Sequence, residues 1–145
     1  MFWAILLAIV AFVIIKMTVS FFGGLSQDNR ELSSVPAPSK FHYLVEDLNN
    51  YAFDGQASVH QYDKRSFALL NNTNQMIVFQ YSTGNLEIVW RYKYYQQEVS
   101  HRKLFADCRN ITTDEQHRIA QAMISEMESV VERHKQNVMS KMMGF

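Results

Sequence analysis

The sequence predicts an α+β domain, built as helix, antiparallel β-meander of about five strands, and helix, carried behind one N-terminal transmembrane helix. Three observations lead there. The chain starts with a long apolar run, both ends of the remainder repeat apolar residues every three or four positions, and the middle repeats them every two.

At 145 residues the chain has room for one ordinary domain. Fourteen basic residues balance fourteen acidic ones, which argues against nucleic acid gripped through bulk charge. A hydrophobic share of 48% with only two prolines and five glycines excludes a disordered or collagen-like chain. The single cysteine, Cys108, rules out an internal disulfide and a thiolate-rich zinc site.

Residues 1–22 read as the anchor. The first fifteen carry no charged side chain, and Met17 to Phe22 continue the run past Lys16. A helix of 22 residues is about 33 Å long, close to the ~30 Å hydrocarbon thickness. Trp3 at one end and Phe21 and Phe22 at the other suit the two interfaces, and the Lys16 stem can carry its ammonium toward one of them. A cleaved signal fits less well: no basic residue precedes the run and bulky phenylalanines close it. A lipoprotein anchor would need a nearby cysteine. A helix apolar all round has little to bury against in so small a domain. Lys16, Arg30 and Lys40 all follow or close the span, so the positive-inside rule expects an inner cell membrane with the domain on the cytoplasmic side. The sequons at Asn71 and Asn110 would matter only in a glycosylating compartment.

Residues 23–39 read as a linker, flexible at Gly23-Gly24 and extended near Pro36 and Pro38. The domain is expected over 40–145. Ser39 is placed to cap a helix over 40–52, with Phe41, Leu44, Val45, Leu48 and Ala52 on one face. Strands are expected over 57–62, 66–70, 75–81, 86–95 and 98–106, separated by short polar turns such as Ser82-Thr83-Gly84-Asn85. Connections this short make neighbouring strands antiparallel. Thr112 or Thr113 opens the last helix, with Glu115 and Gln116 at capping-box spacing. Ile119, Met123, Met127, Val130, His134 and Val138 then form its apolar stripe, and Ser140 to Phe145 is expected to fray.

Chemistry is sparse. The five histidines include no i, i+4 ligand pair, and no nucleophile-elbow, phosphate-loop, dinucleotide or His-Glu-x-x-His motif occurs, so no catalytic, metal or cofactor site is assigned. An enzyme would need a site assembled in three dimensions, with His101, Cys108 and His117 as candidates and Arg109 lowering the thiol pKa. The stretch Trp90 to Tyr95 interleaves cations with aromatics as single-strand nucleic-acid binders do, yet strand alternation sends the two sets to opposite faces. Arg91, Lys93, Arg102 and Lys103 are instead the candidate interaction patch. The expected function is a membrane-anchored, non-enzymatic interaction module with the bilayer and a protein as partners. The alternatives are a membrane-surface enzyme or a domain binding a ligand in the cleft between sheet and helices.

Overall fold

The computed structural model describes residues 2–144. Helix α1 runs from Phe2 to Ser34, α2 is a single turn at Ala37–Lys40, and α3 spans His42–Phe53. Strands β1 (Ser58–Gln61), β2 (Ser66–Leu70), β3 (Gln75–Ser82), β4 (Asn85–Tyr94) and β5 (Gln97–Phe105) follow, and α4 (Thr113–Met142) closes the chain. The strands lie in sequence order, each antiparallel to the next. This is the α+β architecture that the change of period predicts.

Alternation sorts the sheet into two faces. Phe67 and Leu69 of β2, Ile77, Phe79 and Tyr81 of β3, and Leu86, Ile88 and Trp90 of β4 are buried against the helices. From α3 come Leu44, Val45, Leu48 and Phe53, and from α4 come Ala120, Met123 and Met127. Phe67 and Phe79 stack with ring centroids 4.6 Å apart at the centre of this core. Burial of the α4 stripe begins at Gln116 and Ala120, while Ile119, Val130 and His134 are half-buried. Thr112 forms a capping box with Glu115, which satisfies two otherwise unpaired backbone donors and contributes about 1 kcal/mol.

Three expectations change. Residues 23–34 are not a flexible linker, because α1 continues through Gly23-Gly24 to Ser34. A Cβ at Gly24 would stand 3.4 Å from Thr83 Cγ2, at van der Waals contact, so the helix runs directly beside the β3–β4 turn. The helix stops where Pro36 disfavours a helical Val35. Ser39 does not cap α3, since it sits inside α2, with Pro38 preorganised in that first turn. The start of α3 has no side-chain cap of its own; buried Gln116 of α4 accepts from the Leu44 N–H (3.1 Å) and donates to the Lys40 carbonyl (3.1 Å). Finally, α4 holds its helical form to Met142 rather than fraying at Ser140, while Phe145 lies outside the described residues.

α1 is one helix long and apolar enough to cross a membrane, and the apolar stretch makes no buried contact with the domain. Trp3, Phe21 and Phe22 are exposed along it, as lipid-facing side chains would be.

Candidate functional site

The polar half of α1 is seated on the domain by a charge cluster. Asp28, wholly buried, lies past the end of the apolar run. Its Oδ2 accepts from Arg65 Nη1 at 2.6 Å and from the Thr83 N–H at 2.5 Å. Arg109 Nη2 approaches the other oxygen to 2.7 Å as an ion pair whose angle falls short of a hydrogen bond. One turn on, Glu31 Oε2 accepts from Arg109 Nη1 at 3.2 Å and from the Tyr81 hydroxyl at 3.1 Å, while its Oε1 meets Lys40 Nζ. Lys40 also donates to the Arg109 carbonyl, and Arg65 Nη2 reaches Asn29 Oδ1 (2.9 Å) and the Leu25 carbonyl (3.2 Å). Two carboxylates of one helix therefore meet three cations drawn from α2, the β1–β2 turn and the segment before α4.

The electrostatics follow from burial. Desolvation alone would raise the Asp28 pKa, but the Thr83 N–H, Arg65 and Arg109 outweigh it and hold the carboxyl below its ordinary range. Burial, reinforced by the charge of Glu31, pushes the Tyr81 hydroxyl far up, so it stays a donor. Buried ion pairs add little net stability because desolvation offsets attraction, but they specify geometry. Here they tie the polar half of α1 to the domain at two successive turns. They also hold a costly turn: Thr83, β-branched, sits at φ 53° beside Gly84 at φ 78° in a two-residue type I′ hairpin.

The predicted basic patch divides. Arg91 and Lys93 of β4 and Arg102 of β5 lie on the face of the sheet without helices; Lys103, one residue on, turns to the helix side. There Lys103 Nζ and His101 Nε2 (2.7 Å) both meet Glu126 of α4, whose carboxyl Lys103 first, then His101, draw below its usual range. On the open face Arg102 faces Glu87 at 3.4 Å and Arg91 faces Glu98 at 3.9 Å. The patch is thus a mosaic of both signs around half-buried Val78 and Val89.

His101, Cys108 and His117 do not converge. His117 Nδ1 pairs with Asp47 of α3 at 2.5 Å, and Cys108 is a buried core residue whose Sγ donates to the Phe105 carbonyl at 3.4 Å. Burial pushes the thiol pKa up, and the Arg109 guanidinium, expected to lower it, is engaged by Asp28 and Glu31. Among the described residues no three metal-type side chains gather.

The cleft between sheet and helices does hold space. A half-open groove of about 490 Å³ lies between Tyr51, Trp90, Tyr92, Met127, Glu128 and Lys135. Gln75 ties one wall by accepting from Trp90 Nε1 (2.9 Å) and donating to the Ala52 carbonyl (2.6 Å). At its rim the Tyr51 hydroxyl donates to Glu128 Oε1 at 2.6 Å, and burial followed by that carboxylate raises its pKa to about 12. Lys135 Nζ lies 5.9 and 5.6 Å from the ring centroids of Tyr92 and Tyr94.

Sequence reasoning passed over Asp28, Glu31 and Arg65. The one local signal is two acids three residues apart, on one helix face just beyond the apolar run. No family model, curated protein or solved structure matches this chain.

Proposed function

We propose that this chain is a membrane-anchored interaction module, spanning an inner cell membrane through residues 1–22 and presenting its α+β domain to a protein partner on the cytoplasmic side. The observation that carries the reading is the clamp at Asp28 and Glu31: a continuous helix seated by charge holds the domain at a set angle to the anchor. A set angle serves a partner held in register with the bilayer better than a reaction carried out on a loose tether. The open sheet face supplies the contact surface, since its mixed charges at Arg91, Lys93, Arg102, Glu87 and Glu98 favour specificity over bulk attraction. Pull-down of the full chain in mild detergent is expected to retain a defined partner. Reversing both Arg91→Glu and Lys93→Glu should abolish that retention, with only a small fall in the melting midpoint from the new carboxylates facing Glu98. Recovery of monomer alone in every detergent and lipid overturns the reading.

The groove favours a second reading, a domain that binds an apolar small molecule, because its volume falls in the range of ligand sites. Filling it by Val131→Trp, on the α4 wall of the groove between Met127 and Lys135, is then expected to abolish binding of the apolar dye 1-anilinonaphthalene-8-sulfonate to the folded chain. Equal dye emission from both proteins removes the groove as its site.

A further inference from the structure

Where the anchor meets the domain there is a concave space of about 750 Å³, bounded by Lys16, Met17, Ser20, Phe21 and Gln27 of α1 and by Thr83. Its chemistry changes with height. The apolar run closes at Phe21 and Phe22, whose rings suit the interface, so the hydrocarbon boundary on the domain side falls near Ser20. Lys16 then lies one turn inside that boundary, while Gly24, Gln27 and Thr83 stand above it at headgroup level. Met17 and Phe21 line the wall at the boundary.

The walls are held in place. Thr83 is tied to α1 through its N–H to Asp28, and its methyl group packs where Gly24 has no side chain. The Thr83 hydroxyl is already spent on the Ser82 carbonyl at 2.7 Å, which leaves the Lys16 ammonium, the Ser20 hydroxyl and the Gln27 amide as donors. Among the described residues Lys16 has no ion-pair partner; its ammonium rests 5.9 Å from the Phe12 ring centroid, on an exposed stem free to swing toward the interface. A cation at this depth is stabilised by an anion beside it.

We propose that this junction binds one anionic phospholipid of the leaflet on the domain side. Its phosphate is held by Lys16 and Ser20, one turn apart; Gln27, about 10 Å above Ser20, meets the outer part of the headgroup, and the acyl chains run along Met17 and Phe21. The site rests on the reading that α1 crosses the bilayer. It favours a lipid over a partner helix because its donors spread along three turns, from the hydrocarbon boundary up to headgroup level, where a single carboxylate opposite Lys16 would leave Ser20 and Gln27 unused.

The test is native mass spectrometry of the full chain released from mixed micelles of phosphatidylglycerol and phosphatidylcholine, alongside flotation with vesicles of phosphatidylcholine alone. The wild-type chain is expected to float and to retain one phosphatidylglycerol at least tenfold over phosphatidylcholine. Lys16→Gln should lose that preference while still floating, and Lys16→Arg should keep it. Equal retention of the two lipids, or an undiminished preference in Lys16→Gln, overturns the site alone. A stoichiometric transmembrane protein retained in place of lipid, and lost in Lys16→Gln, also overturns it. A chain that does not float overturns the span, and the site with it.

Discussion

Replacing Asp28 with asparagine is expected to destabilise the domain by about 3 kcal/mol, the low end of the cost of removing one partner from a buried ion cluster. Asparagine nearly preserves shape and can still accept from the Thr83 N–H, but it leaves Arg65 and Arg109 without their shared counter-charge. Those guanidinium groups are 22% and 19% exposed, and Arg109 keeps Glu31, so solvent and a second carboxylate limit the loss. At roughly 4 °C per kcal/mol for a domain of this size, the midpoint should fall by about 12 °C. The measurement is thermal melting of the detergent-solubilised full chain, with Glu98→Gln as comparison, since that change removes only an exposed contact at 3.9 Å. A midpoint for Asp28→Asn within 2 °C or so of the parent would mean that the cluster does not hold the helix.

The same substitution sets a pH dependence. The folded Asp28 carboxyl titrates below its unfolded value, so its contribution is complete above the ordinary carboxylate pKa of 3.8 and fades as pH falls through the lower folded value. The gap in stability between parent and Asp28→Asn should therefore stay level from about pH 5 to 8 and narrow below about pH 4. A gap that widened on acidification would reverse the sign of this assignment.

Phe79→Ala is expected to cost about 3–5 kcal/mol, as large-to-small changes of a buried aromatic do. Phe79 is fully buried on the central strand and stacks on Phe67 at 4.6 Å, with Ile88 opposite it on β4. The hole would open in the middle of the five-stranded sheet, where the surroundings have least freedom to close it. The effect should differ in kind from that of Asp28→Asn. Phe79→Ala loosens the domain core while the apolar half of α1, which shares no core residue, stays in its detergent or bilayer. Limited proteolysis should then leave a protected fragment at the N-terminal end and degrade residues beyond about 40. Protection of the domain equal to the parent would show that the Phe67–Phe79 stack is not central to it.

These two expectations mark the limits of what the sequence discloses. The strands were legible because alternation is local: Leu86, Ile88 and Trp90 are buried and their neighbours are not, as period two requires. The helices were legible for the same reason at period 3.6, through Leu44, Val45 and Leu48 and through Met123 and Met127. Errors arose where local preference met a distant partner. Gly23-Gly24 reads as flexible, yet Asp28 and Glu31 dock beyond it and keep the helix continuous. Ser39 reads as a cap, yet Gln116 closes the start of α3 from 72 residues away. The patch at Arg91, Lys93, Arg102 and Lys103 reads as one cluster, yet one step along β5 carries Lys103 to the other face, against Glu126.

By itself, then, the sequence determined the long apolar N-terminal helix, the α+β class and the two faces of the sheet, because hydrophobic burial and backbone periodicity act over a few neighbouring residues. Only the tertiary structure decided that the apolar helix continues into a polar half seated on the domain. Asp28 is separated from Arg65 by 37 residues and, with Glu31, from Arg109 by about eighty, and charges pair according to where the folded backbone carries them, which no spacing along the chain records.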